Sequence, residues 1–191
     1  MSDAVSARPG ARFDGFVQVR EAGRVGMVTI RGDLGGARFK RDVKSVTGLD
    51  VPGQRAIIGD GPRLAWMSPD ELLLFCDASE APSQATALAQ ALAGSHALAV
   101  DVTDARAVFH IEGAACRDVL AKLTPADVAP RRFGPGELRR TRLAQVPAAF
   151  HMIDEACVEI VAFRSVAGYV YDLLANAARP GSETGLFQTY G

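Results

Sequence analysis

The side chains best suited to metal binding or nucleophilic chemistry are scattered along this chain of 191 residues. A zinc site needs three or four convergent ligands, usually at short and recognisable spacing. The histidines and cysteines share no such spacing: His96, His110, His151, Cys76, Cys116 and Cys157. No Gly-x-Ser-x-Gly segment is present, and no cysteine stands in a familiar catalytic setting. The sequence therefore predicts no catalytic residue and no metal ligand.

Two short segments resemble parts of active sites but have simpler interpretations. Gly32–Gly36 separates a predicted strand from a predicted helix, where amide groups could meet a phosphate. It lacks the Lys-Ser/Thr that follows the glycines of a P-loop, so we expect an ordinary turn and no cofactor site. Asp101 and Asp104 flank Thr103 at a strand junction. We expect a local hydrogen-bonded turn there rather than general acid–base chemistry.

A cluster of arginines is the most strongly charged segment. It contains Arg131, Arg132, Arg139, Arg140 and Arg142. A solvated face, a protein contact and a nucleic-acid contact are all open interpretations. The net charge of −1 and the near absence of interleaved aromatic residues argue against nucleic acid. Because arginine is enriched at protein interfaces, we predict a partner interface formed by Arg131, Arg132, Arg140 and Arg142.

Composition and patterning predict one domain with short tails. With 48% hydrophobic residues, the chain can bury a sizeable core. We expect a flexible N-terminal tail over residues 1–20, a single α+β domain over 21–178 and a C-terminal tail over 179–191. No segment approaches the roughly 20 apolar residues of a membrane span. The odd number of cysteines, set among apolar residues, is typical of reduced thiols, which predicts a cytoplasmic location.

The two halves of this domain resemble each other. Residues 28–32 match residues 109–113, each a short strand ending on a glycine. Residues 71–75 match residues 159–163, each an apolar strand beginning with glutamate. These matches predict two pseudo-repeats, about 25–93 and 106–176. Each is a strand–helix–strands–helix unit, so the fold class is an internally duplicated α+β fold.

Hydrophobic periodicity and turn residues predict further strands and a helix in the second half. The pattern predicts a strand over Arg139–Val146, followed by strands over Ala148–Ile153 and Ala156–Phe163. The last helix is expected to begin with Ser165 as its cap. Its apolar side is expected to include Tyr169.

Six segments, in the same order, resemble the gamma subunit of heterotetrameric sarcosine oxidase. They are Trp66-Met67-Ser68-Pro69-Asp70-Glu71, Asp101-Val102-Thr103-Asp104-Ala105-Arg106, Gly113-Ala114-Ala115-Cys116-Arg117-Asp118-Val119-Leu120-Ala121-Lys122, Phe133-Gly134-Pro135-Gly136, Arg140-Thr141-Arg142-Leu143-Ala144-Gln145-Val146-Pro147 and Phe163-Arg164-Ser165-Val166-Ala167-Gly168-Tyr169. The resemblance runs from about residue 25 to residue 176.

This resemblance implies a fold related to the folate-binding domain of the glycine cleavage T-protein, itself an internal duplication. It also implies a complex with alpha, beta and delta chains that demethylates sarcosine to glycine with oxygen and tetrahydrofolate. In such complexes FAD, FMN, NAD and the folate site belong to the large chains and zinc to the delta chain. The resemblance therefore implies no cofactor in this chain, contact most directly with alpha, and no nucleic-acid or membrane partner.

The related T-proteins carry an acidic hairpin where this chain has Leu143–Ala148, a segment without a carboxylate. A folate enzyme needs an acidic group near the pterin or the amine. We therefore expect a non-catalytic gamma subunit. The alternatives are a free-standing folate-binding or folate-dependent one-carbon protein, and an RNA- or anion-binding module that uses the arginines.

Overall fold

The chain folds into two units, each built on its own antiparallel sheet. The structure is a computed structural model and describes residues 4–187. The central unit is Val25–Thr103, and the terminal unit combines Met1–Arg24 with Asp104–Gly191. The described residues form these strands and helices: β1 Arg12–Asp14, β2 Gln18–Glu21, β3 Val25–Arg31, α1 Ala37–Thr47, β4 Ile57–Ile58, β5 Arg63–Ser68, β6 Glu71–Asp77, α2 Ala81–Ala91, β7 Leu98–Asp101, β8 Arg106–Glu112, α3 Cys116–Leu123, β9 Leu138–Leu143, β10 Val146–Asp154, β11 Cys157–Phe163 and α4 Ala167–Ala177.

The central unit has a five-stranded sheet in the order β4-β5-β6-β3-β7. Alternation along β3 and β6 sends one set of apolar residues to the face where α1 and α2 pack. In α1, Phe39 and Val43 lie one turn apart on the buried side. The helix ends at Gly48, whose φ of 74° is the left-handed conformation that glycine adopts without strain. The opposite face of the sheet is also buried and apolar at Met27, Leu73, Phe75, Ala65 and Met67.

The terminal unit has a six-stranded sheet in the order β1-β2-β8-β11-β10-β9. Its core lies on the face covered by α3 and α4 and contains three fully buried phenylalanines, Phe109, Phe133 and Phe150. The rings of Phe133 and Phe150 meet edge to face with their centroids 5.4 Å apart. No helix within residues 4–187 is long and apolar enough to cross a membrane.

The two units repeat the same plan, which confirms the duplicated α+β fold. The order β3-α1-β4-β5-β6-α2 in one recurs as β8-α3-β9-β10-β11-α4 in the other. The equivalent hairpins also each shift register once. The shift lies between Trp66 and Ser68 in β5–β6 and between Met152 and Asp154 in β10–β11. The predicted repeats, 25–93 and 106–176, each lie within one unit. That both halves form a single domain stays a prediction.

The register corrects how the two halves were matched. Seven pairs join β3 to β6, from Val25–Asp77 to Arg31–Glu71, and seven join β8 to β11, from Arg106–Phe163 to Glu112–Cys157. Glu71 therefore corresponds to Cys157, whereas the sequence match paired it with Glu159. A shift of two residues keeps every side chain on its face, so apolar periodicity does not detect it.

The prediction of a flexible tail over residues 1–20 is wrong from β1 onward. Strand β2 pairs with β8, and its Val19 lies buried in the core together with Val17, which precedes the strand. Buried Glu21 accepts hydrogen bonds from Ser6 Oγ at 2.7 Å and from the Arg8 amide at 2.6 Å. The strand was missed because it is four residues long and mostly polar, and only its pairing with β8 defines it.

Smaller corrections concern the ends of elements in the terminal unit. The β9–β10 turn falls at Ala144, whose φ is 47°, so β9 ends at Leu143 and β10 begins at Val146. Ser165 does not cap the last helix, because a 3-10 turn precedes α4 and no side chain of the described residues caps it. Tyr169 is exposed rather than part of the apolar side. Local hydrogen bonding at these ends prevailed over the side-chain pattern.

Candidate functional site

The predicted interface residues lie along one edge of the terminal unit's sheet. Arg140 and Arg142 lie two residues apart on β9, which among residues 4–187 pairs with β10 alone and so forms the edge of the sheet. Arg131 and Arg132 lie in the turn that leads to this strand, and all four residues are exposed. We call these four residues the arginine edge. A strand edge carrying arginines presents both unpaired backbone groups and planar cationic donors to a partner.

Arg117, which sequence reasoning saw only as part of a helix motif, supports this edge from within. Its guanidinium is almost fully buried and donates to the carbonyl oxygens of Val128 at 2.9 Å and Phe133 at 2.5 Å. It also donates to Glu155 at 2.8 Å. One side chain of α3 thereby holds the connection from α3 to β9, which includes Arg131 and Arg132. The fifth arginine of the cluster is structural too, since Arg139 lies over the ring of Phe133.

Asp118, the next residue of α3, fixes the chain after α4. It is buried and accepts hydrogen bonds from the amides of Thr184 at 3.2 Å and Gly185 at 2.8 Å. Lys122 on the same helix donates to the carbonyl of Ala177 at 2.7 Å. The predicted C-terminal tail therefore lacks regular structure but is attached to α3 as far as it is described.

A row of polar residues crosses the helix-free face of the terminal sheet. His110, Glu159 and His151 stand directly opposite one another on β8, β11 and β10. One oxygen of the Glu159 carboxylate lies 3.0 Å from Nε2 of His110, and the other lies 2.9 Å from Nε2 of His151. Glu159 and His151 are each 3% exposed. The sequence predicted no role for either histidine, because only the pairing of three strands brings both of them to one carboxylate.

A second polar group adjoins this row at the end of β8. Glu112 accepts hydrogen bonds from Arg20, with separations of 2.8 Å to Nε and 2.6 Å to Nη2. Donor atoms of His110, Glu112 and Cys157 all lie within 4.8 Å of one another. The sequence predicted no metal ligands, yet this arrangement could hold a metal ion. The signal was the His-x-Glu pattern on one strand, with the cysteine supplied by the strand beside it.

The thiols are poorly suited to nucleophilic chemistry. Burial is the main cause that raises the pKa of Cys76, Cys116 and Cys157, in each case to about 11. A thiol with such a pKa is protonated near neutral pH, and the thiolate is the nucleophilic form. For Cys157 the carboxylates of Glu112 and Asp154 raise the pKa further, while Arg20 lowers it.

The two segments that resembled parts of active sites form local turns. Asp33 Oδ1 accepts the Gly35 amide at 3.0 Å in the turn before α1. Asp101 Oδ1 accepts the Thr103 amide at 2.9 Å, which confirms the expected turn. Asp104 instead receives two hydrogen bonds of 2.9 Å from Arg24, and these hold its pKa below the ordinary value.

Comparison with known proteins gives a consistent family. The model of the sarcosine oxidase gamma subunit family matches residues 31–179. Sarcosine oxidase subunit gamma of Corynebacterium sp. (strain P-1) is 32% identical over 136 residues, covering 70% of this chain and 66% of that protein. The Arthrobacter sp subunit is 33% identical over 139 residues, with the same coverage. The chain thus spans about two thirds of the length of these relatives.

Two solved structures share the fold. A chain of the heterotetrameric sarcosine oxidase from Corynebacterium sp. U-96, in complex with pyrrole 2-carboxylate, superposes with a TM-score of 0.79. The two chains are 28% identical, and the match covers 87% of each. Glycine cleavage system aminomethyltransferase T from Bartonella henselae superposes with a TM-score of 0.60 over 85% of this chain and 46% of that one. At 14% identity this second likeness concerns the fold alone.

Proposed function

The chain belongs to the sarcosine oxidase gamma subunit family, and on that premise we propose that it is the gamma chain of a heterotetrameric sarcosine oxidase. Its role is to support the oxidative demethylation of sarcosine to glycine, with tetrahydrofolate and oxygen as co-substrates of the complex. The observation that carries this proposal is the superposition on a chain of a heterotetrameric sarcosine oxidase over 87% of both chains.

The chain contributes no reacting group of its own in this proposal. The fold is that of a T-protein, but the β9–β10 hairpin carries Ala144 and Gln145 and no carboxylate. The raised pKa of each thiol argues against a cysteine nucleophile. FAD, FMN, NAD, tetrahydrofolate and zinc are accordingly assigned to the other subunits. The free thiols support a cytoplasmic location, which fractionation of the native cell would test.

The partners are the alpha, beta and delta chains, with alpha in direct contact. We assign this contact to the arginine edge, because its four side chains are exposed while Arg117 fixes the backbone that presents two of them. A pre-organised loop loses less conformational entropy on binding than a mobile one. Bidentate pairing of guanidinium with carboxylate would give the contact its specificity.

Co-expression with the other three chains tests both the complex and the edge. The unchanged chain should co-purify with alpha, beta and delta. Replacing Arg132, Arg140 and Arg142 with glutamate should weaken co-purification while the chain stays folded. Unchanged co-elution of this variant would refute the arginine edge but not the complex, whereas failure of the unchanged chain to co-purify would refute the complex itself.

A matched control separates interface loss from a general charge effect. Lys40, Arg41 and Arg55 are exposed cationic residues of the central unit, and their replacement with glutamate changes the net charge equally. This control variant should assemble normally. Equal loss of assembly in both variants would show that net charge, rather than the arginine edge, is responsible.

The alternative is a free-standing folate-binding or folate-dependent one-carbon protein. Its only structural support is the T-protein likeness, which concerns the fold. Calorimetric titration of the isolated chain with tetrahydrofolate distinguishes the two functions. We expect no heat of binding, and clear micromolar binding would favour the alternative.

A further inference from the structure

The hydrogen-bond pattern of Glu159 leaves one nitrogen of His110 available. An ionised carboxylate only accepts hydrogen bonds, so His110 donates through Nε2 to Glu159. Its Nδ1 is buried, has no hydrogen-bond partner among residues 4–187, and lies 3.6 Å from Oε1 of Glu112. In the neutral imidazole, two lone pairs then face each other across this gap. A cation between them would convert that repulsion into coordination.

A third donor points to the same place. Cys157 stands opposite Glu112 in the sheet register, and its Sγ lies within 4.8 Å of both other donor atoms. Nitrogen, carboxylate oxygen and sulfur together form a donor set that zinc accepts. We propose that His110 Nδ1, Glu112 and Cys157 bind a divalent transition-metal ion of the zinc class, with a water or a partner's ligand completing four-coordination.

The distances suit such an ion with only small side-chain movement. Zinc lies about 2.0–2.3 Å from its ligands, which places tetrahedral ligand atoms roughly 3.3–3.6 Å apart. The gap between His110 and Glu112 is already 3.6 Å. The other pairs lie within 4.8 Å of one another and would need to close by at most about 1.5 Å, a distance within the reach of a change in the Cys157 side-chain rotamer.

Two neighbouring residues have opposite effects on metal affinity. Glu159 acts as the carboxylate behind the ligating histidine, and its contact with Nε2 fixes the tautomer that leaves Nδ1 able to bind the ion. Arg20 works against the metal, because its guanidinium is 2.6 Å from the same Glu112 oxygen that faces His110. Metal binding therefore requires Arg20 to give up this contact or to share the carboxylate.

Cobalt provides a direct test, because a thiolate bound to Co²⁺ gives a charge-transfer absorption. Titration of the full chain with Co²⁺ should produce this band, and added Zn²⁺ should remove it by displacement. Cys157→Ser should abolish the band. Cys76→Ser is the matched control, since Cys76 is a half-buried free thiol of the central unit, and it should leave the band unchanged.

Further variants separate coordination from folding. Glu159→Gln should weaken Co²⁺ binding by about 10–100-fold. Arg20→Gln should tighten it several-fold, an outcome that a misfolded variant would not give. The absence of a thiolate band, or its persistence in Cys157→Ser, would overturn the proposal.

Discussion

The two units place different chemistry on the same five positions of their helix-free sheet faces. In the central unit, register pairing gives the row Val100, Thr29, Leu73, Ala65 and Ile57. In the terminal unit the corresponding row is Arg20, His110, Glu159, His151 and Leu138. The backbone plan is therefore compatible with a row that has no ionisable group and with a row that has four of them.

The difference shows that the polar row is not required by the fold. Burying ionisable groups costs desolvation energy that a hydrophobic replacement avoids. The central unit forms the same sheet without that cost. The terminal unit retains His110, Glu159 and His151 in spite of it, which is expected of groups that serve binding. The arginine edge and the proposed metal site lie on this same unit.

The largest effect is expected from removing the shared carboxylate. Glu159→Leu introduces the central unit's residue but leaves His110 and His151 without their acceptor. Loss of one member of a buried polar network should lower the free energy of unfolding by about 3–5 kcal/mol. Urea denaturation measures this change.

The control replaces all three residues with their counterparts from the row of the central unit. The triple variant His110→Thr, Glu159→Leu and His151→Ala should recover most of that stability, because no ionisable group of the row is left without a partner. A triple variant as unstable as Glu159→Leu alone would show that the two rows are not interchangeable.

A smaller effect is expected at the loop that Arg117 supports in the terminal unit. Arg117→Met leaves the carbonyl groups of Val128 and Phe133 without donors, at a cost of about 2–4 kcal/mol. Hydrogen exchange should accelerate over residues 124–137. Arg131→Met, an exposed change in the same loop, should alter stability by less than about 0.5 kcal/mol. Equal effects of the two changes would contradict the supporting role of Arg117.

A substitution in the central unit is expected to raise the free energy of unfolding. Thr29 occupies the position of His110, and its buried hydroxyl has no hydrogen-bond partner among the described residues. Thr29→Val should therefore raise the free energy of unfolding by about 0.5–1 kcal/mol. Thr103→Val is the control and should be destabilising, because the Thr103 hydroxyl accepts the Met27 amide at 3.0 Å. Loss of stability in Thr29→Val would mean that its hydroxyl is satisfied.

The smallest effect concerns the exposed pair Arg24–Asp104 of the terminal unit. Hydrogen bonds from Arg24 lower the folded-state pKa of Asp104 below its ordinary value of 3.8. This pair therefore adds stability above pH 4, and the stability is lost as pH falls through the depressed pKa. Because the pair is exposed, Arg24→Gln should cost about 0.5 kcal/mol or less at neutral pH. The difference from the unchanged chain should vanish in acid, and a constant difference would exclude this linkage.

Periodicity predicted most of the fold because apolar alternation reports which face of an element is buried. The helix predicted after Gly32–Gly36 is α1, and the apolar run over residues 71–75 identified β6. Strand β2 was missed because its four residues become a strand only by pairing with β8. The match of Glu71 with Glu159 was displaced by two residues, because a period-two pattern is unchanged by that shift.

The sequence alone determined the duplication, the family resemblance and the absence of a carboxylate from the hairpin after β9, since these depend on residue order. Tertiary structure alone decided which polar groups meet. His110 is 49 residues from Glu159 and His151 is 8 residues from it, and strand pairing brings both histidines to this one carboxylate. Arg117 entered the sequence analysis only within a segment that resembles the family, and folding places two carbonyl groups against it. Such contacts arise from register and burial, which local sequence does not encode.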